Sequence, residues 1–140
     1  MNATVLAPVI ILAMWTHVMF FWMYVTRIPA MRRMGMPLDP QAVRGTQMAQ
    51  LPARVRWKAD NYNHLMEQPT VFYAVAISLA LLGASTWSLR VAWIYVGLRI
   101  LHSLVQALWN RIEVRFTLFA LSSIALIVLT VQALRLILRS

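Results

Sequence analysis

Four apolar runs, each about as long as a bilayer is thick, leave this 140-residue chain few ways to fold. They cover about residues 5–26, 55–83, 89–108 and 116–137. About 20 such residues in a helix cross the ~30 Å hydrocarbon core. Inside that core every backbone polar group needs a partner, which a helix supplies from its own segment. The expected fold is therefore all-α: a polytopic membrane protein with a four-transmembrane-helix bundle, one domain over residues 1–140. Composition agrees, because 61% of residues are hydrophobic and 12% charged, where a soluble domain carries about 25% charged residues.

The net charge of +9 invites a nucleic-acid reading. The cations lie mostly between apolar runs rather than in a basic domain of their own, which favours membrane topology and no nucleic-acid partner. With no cysteine in the chain, there is no disulfide, no thiolate metal site and no protein thiol nucleophile. Any thiol chemistry here must use a ligand's thiol.

The first run follows MNAT, which lacks the basic start of a signal peptide, so it reads as a retained span. His17, mid-span, reads first as a histidine packed between helices with its nitrogens satisfied, and only second as a ligand. Residues 27–58 read as polar and irregular, with Pro29, Gly35, Pro37, Pro40, Gly45 and Pro52, and they hold seven of the 13 cations. Arg27, at the end of the first span, can reach either an interfacial ligand or lipid headgroups. In the second span Pro69 leaves the carbonyl of Leu65 without its usual donor. A turn is expected over Gly83–Ser88, and the link Trp109–Val114 is short enough to make the last two spans antiparallel neighbours. The first and third loops hold most of the cations, against Arg90, Arg135 and Arg139 on the other side. Both termini are thus expected outside, with the basic loops cytoplasmic and the protein in a cell's inner membrane if it is bacterial.

Chemistry concentrates in the same half. Asp60, His64 and Glu67 fall on one helical face with Arg56 a turn before them. Arg99, His102 and Gln106 form a second stripe that Asn110 continues, and Arg115 opens the fourth span. A charge at the centre of a span costs about 2.5–3.5 kcal/mol on insertion scales, so these groups should face one another or a polar cavity. Arg99 could pair with Glu67, border a polar site, or both. The mixture suits a small zwitterionic or anionic ligand. No metal is expected, since no H-E-x-x-H or similar spacing occurs, and no P-loop or dinucleotide fingerprint is present.

The run RWKADNYNHLMEQP, Arg56 to Pro69, together with RILHSLVQALWNRIEVRF, Arg99 to Phe116, resembles the MAPEG family, the membrane-associated proteins in eicosanoid and glutathione metabolism. In that family an R-x-x-H element is followed thirteen residues later by an arginine, a separation that His102 and Arg115 keep. The chain is similar to a divergent, bacterial-type member. The resemblance implies a homotrimer, with glutathione bound between subunits and an electrophile entering from membrane lipid. It implies that Arg115 is catalytic, stabilising the glutathione thiolate, and that Arg27, Arg56, Glu67, Arg99 and His102 bind the tripeptide. The chain departs from glutathione-using relatives at Asn63, His64, Gln106, Phe116 and Phe119.

Three functions follow. The first is a membrane-bound glutathione-dependent transferase or peroxidase-like enzyme acting on hydrophobic electrophiles. The second is a non-enzymatic, lipid-binding or accessory subunit of a larger membrane complex. The third, a proton-coupled exporter using Glu67, fits least, because such exporters place their key glutamate in the first span and none stands there.

Overall fold

The computed structural model describes Thr4 and residues 6–139. The chain forms α1 (Leu6–Arg33), a single-turn α2 (Thr46–Ala49), α3 (Ala53–Leu82), α4 (Thr86–Leu108) and α5 (Ile112–Ile137). The four long helices are each long and apolar enough to cross a membrane. Among the described residues there is no strand.

Spacing in the sequence sets the packing. Leu12 and Met19 on α1, and Leu65, Phe72 and Leu79 on α3, recur every seven residues and are all but fully buried. That repeat keeps one seam of each helix facing its neighbour at a shallow crossing angle. Phe72 stacks on Tyr95 of α4 with ring centroids 4.4 Å apart. Helices α3 and α4 pack on each other, and both pack on α1 and α5. They form the centre of the bundle, with α1 and α5 to the sides.

Three boundaries differ from the sequence expectation. Helix α1 does not stop near Thr26 but runs through Pro29 to Arg33. Proline holds a helix-compatible φ, and the carbonyl it deprives of a donor, that of Val25, belongs to an exposed residue. The turn expected over Gly83–Ser88 closes in three residues. Gly83 takes the left-handed conformation (φ 84°), and Ser85 caps α4 by accepting from the Ser88 N–H at 3.2 Å. At the far end the link expected over Trp109–Val114 shortens to 109–111, where Asn110 (φ 55°), the sole described non-glycine residue with positive φ, reverses the chain into α5. The 34–52 connection is the one long link, and α2 sits inside it.

Two side chains also lie elsewhere than expected. His17 is not packed between helices; it is exposed on the protomer, and its Nδ1 meets the Ala13 carbonyl of its own helix at 2.8 Å. Position 17 falls on the outer side of the Leu12–Met19 seam, so its ring does not enter that seam. Lys58, grouped above with the loop cations, is buried. Its Nζ donates to the carbonyls of Arg54 (2.8 Å) and Ala107 (3.3 Å) and lies 5.3 Å from the centre of the Trp22 ring. The α4 carbonyl it meets belongs to the last turn, where no helical N–H is available.

Candidate functional site

Because the long helices alternate in direction, the end of α1, the start of α3, the end of α4 and the start of α5 meet at one end of the bundle. The polar residues singled out from sequence gather there.

Arg27, Arg44 and Arg56 line a cavity of about 430 Å³, with Asp60 and Asn63 in its wall. None of these arginines forms an ion pair or a hydrogen bond to a side chain among the described residues, and Arg27 Nε is buried with no partner. Three guanidinium groups against the single carboxylate of Asp60 around one space favour an anion. Arg44 was not among the predicted site residues. It arrives on the α1–α3 connection, just before Gly45 turns left-handed at φ 87°, and helical periodicity says nothing about such a path.

Asp60 and Asn63 are shared with a second cavity of about 290 Å³, completed by His64, Glu67, Gln106 and Arg115. This is where the Asp60/His64/Glu67 face and the α4 stripe converge. Gln106 is 1% exposed, and its Oε1 has no donor. An acceptor in that state, beside two carboxylates, is suited to an N–H-bearing group.

His64 and Arg115 in turn border a third cavity of about 380 Å³, otherwise lined by His102, Ile112, Phe116 and Phe119. Its walls are largely apolar. Arg115 is held by a hydrogen bond from its Nη1 to Asn110 Oδ1, while its Nε is buried without a partner. The left-handed Asn110 therefore serves both the turn and the arginine.

Arg99 is placed differently from the other predicted residues. It is 1% exposed and lines none of these three spaces. The ion pair with Glu67 does not form. Instead Arg99 Nη2 donates to the His64 carbonyl at 3.0 Å, and Nη1 to Gln68 Oε1 at 3.4 Å. Its guanidinium lies 5.9 Å from the centre of the Phe119 ring. Glu67 points outward, its side chain 69% exposed and its Oε2 3.5 Å from His64 Nδ1.

A polar seam that sequence reading missed stands behind the site. Gln68 Oε1 also accepts from the Tyr95 hydroxyl at 3.4 Å, and Gln68 Nε2 donates to Ser123 Oγ at 2.7 Å, so one amide joins α3, α4 and α5. Ser103 Oγ accepts from Asn61 Nδ2 (2.6 Å) and from Trp15 Nε1 (2.9 Å), which joins α1, α3 and α4. The available signal was a polar residue on each seam position of adjoining helices.

No match to the chain is found among curated proteins or among solved structures. A family model described as the MAPEG family matches residues 5–135. That match takes in the four membrane-length helices almost entirely, along with every residue of the three cavities, and an integral membrane protein of this architecture is what the family comprises. The chain belongs to the MAPEG family.

Proposed function

We propose that the protein is a membrane-bound, glutathione-dependent transferase or peroxidase-like enzyme acting on hydrophobic electrophiles. The observation that carries this reading is the order of the three adjoining cavities: cationic, then acidic, then apolar, with Arg115 at the last boundary. A tripeptide carboxylate suits Arg27, Arg44 and Arg56. Its ammonium group suits Asp60, Glu67 and the free Oε1 of Gln106. Its sulfur then falls to Arg115, and an apolar electrophile to the space beside Phe116 and Phe119.

Charge supports the same ligand. Four arginines against two carboxylates leave two positive charges in excess around these spaces. Glutathione with its thiol ionised carries two carboxylates, one ammonium and one thiolate, a net charge of two negatives. A cation beside the sulfur favours that ionised form, which is the nucleophile. His102 lines the apolar side, and Arg99 secures the α3 wall from behind.

The reading includes a homotrimer with cytoplasmic basic loops and both termini outside. An exposed Glu67 at membrane depth is poorly tolerated by lipid, which supports cover from a second subunit. A second reading, a lipid-binding or accessory subunit of a membrane complex, draws support from Phe116 and Phe119 in the Arg115 cavity. A glutathione titration of the detergent-purified protein decides between them. Saturable binding with an ultraviolet thiolate band, lost in Arg115→Ala, is the enzyme outcome; absence of binding at millimolar glutathione leaves the accessory reading.

A further inference from the structure

An arginine can stabilise a thiolate but cannot take the thiol's proton, because guanidinium has no acceptor and stays protonated. The proton therefore needs an acceptor other than Arg115. Two imidazoles border the same apolar cavity as Arg115, those of His64 and His102, with ring centroids 6.1 Å apart.

Their surroundings separate them. His64 Nδ1 lies 3.5 Å from Glu67 Oε2, while its main-chain carbonyl is held by Arg99 Nη2. With the ring proton on Nδ1 facing the carboxylate, Nε2 keeps its lone pair for a proton from the cavity. His102 has no carboxylate within ion-pair distance among the described residues. An imidazolium formed there would have no anion to offset the neighbouring arginines. The groups around His64 are Asp60 and Glu67 from its own helix, His102, Gln106 and, at its main-chain carbonyl, Arg99 from α4, and Arg115 from α5.

We infer that His64, positioned by Glu67, is the general base that takes the thiol proton and the acid that returns it. The inference rests on the thiol-transfer reading above and deepens it. In addition to an activated carbon–carbon double bond, the S–H bond breaks, its electron pair stays on sulfur, and the proton passes to His64 Nε2. Sulfur then forms the C–S bond, the π pair moves to the neighbouring carbon, and the Nε2 proton closes the C–H bond there. Nothing is oxidised or reduced, and His64 ends as it began.

The test is stopped-flow ultraviolet absorbance of thiolate formation when the full-length protein in detergent is mixed with glutathione. His64→Gln should retain glutathione affinity within about threefold and form thiolate about 100-fold more slowly. Added imidazole should restore part of the rate, which a merely structural lesion would not allow. Glu67→Gln, measured at saturating glutathione because Glu67 also faces the ammonium group, should alter the pH profile of the same step, and an unchanged profile overturns the positioning of His64 by Glu67. An unchanged rate in His64→Gln, or a slowed rate that imidazole does not rescue, overturns the role of His64 while leaving glutathione binding intact. Absence of glutathione binding in the unaltered protein overturns the thiol reading and this inference together. Should His64→Gln fail to fold, as judged by size exclusion, His64→Asn takes its place under the same criteria.

Discussion

Arg99 Nη2 donates to the carbonyl oxygen of His64 across 3.0 Å, so the buried cation of α4 is met by main chain and not by an acid. The acceptor lies one residue before Leu65, whose own carbonyl loses its donor to Pro69. Arg99 thus braces α3 next to the turn that the proline weakens. Lysine carries the same charge but cannot reach both His64 O and Gln68 Oε1 with a planar fork. Arg99→Lys should lower stability by about 1–3 kcal/mol, measured by denaturation in detergent. A midpoint equal to that of the unaltered protein would show that the brace contributes nothing.

Ser103 receives two donors, Asn61 Nδ2, which is buried, and Trp15 Nε1, which is half-buried. Ser103→Ala removes the acceptor and leaves both unpaired, at a cost of about 1–3 kcal/mol. Ser103→Gly opens the same gap, whereas Ser103→Thr keeps the hydroxyl and should recover most of the loss. Denaturation in detergent checks this, and comparison with Trp15→Phe isolates the Trp15 part of the fluorescence change among the six tryptophans.

Asn110 combines a left-handed backbone with an acceptor for Arg115. Substitution can divide the two roles. Asn110→Gly keeps the turn, and Asn110→Ala adds about 1–2 kcal/mol of left-handed strain. Both release the guanidinium. Glutathione affinity should therefore shift alike in the two variants, while stability falls further in the alanine variant.

The arginine cavity should be sensitive to salt. Arg27→Gln, Arg44→Gln and Arg56→Gln should each weaken glutathione about tenfold, as expected for loss of a charge-assisted contact. Raising ionic strength should narrow the difference between each variant and the unaltered protein. Calorimetry at two salt concentrations checks this, and a salt-independent affinity would argue against an anionic end in this cavity.

Hydropathy made the four spans legible, because lipid admits few alternatives to helices of bilayer length. The three- and four-residue spacing of Arg99, His102 and Gln106 placed them together on the buried side of α4. The partner of Arg99 was not legible, since a main-chain carbonyl leaves no mark in sequence. Neither was the burial of Lys58, which depends on the last turn of α4 presenting the Ala107 carbonyl to it. Within the site, Asp60, His64 and Glu67 were readable from helical phase and Arg115 from its place at the start of the fourth span, and the structure brings them around one cavity. Arg44 was not, because a connection bent at Gly45 has no period to follow.

The lengths of the connections divide the site mechanically. Asp60, His64, Glu67, Gln106 and Arg115 ride on helices joined by three-residue turns, over 83–85 and 109–111. Lys58 adds a rivet between α3, α4 and the Trp22 ring of α1. Arg44 alone hangs on a tether, the 34–52 link. Six of these groups sit on helices joined by short turns, and Arg44 sits on the longest connection of the chain. The cationic cavity thus takes Arg27 and Arg56 from long helices and Arg44 from a loop, so a change of loop length would reshape this cavity before it touched the other two.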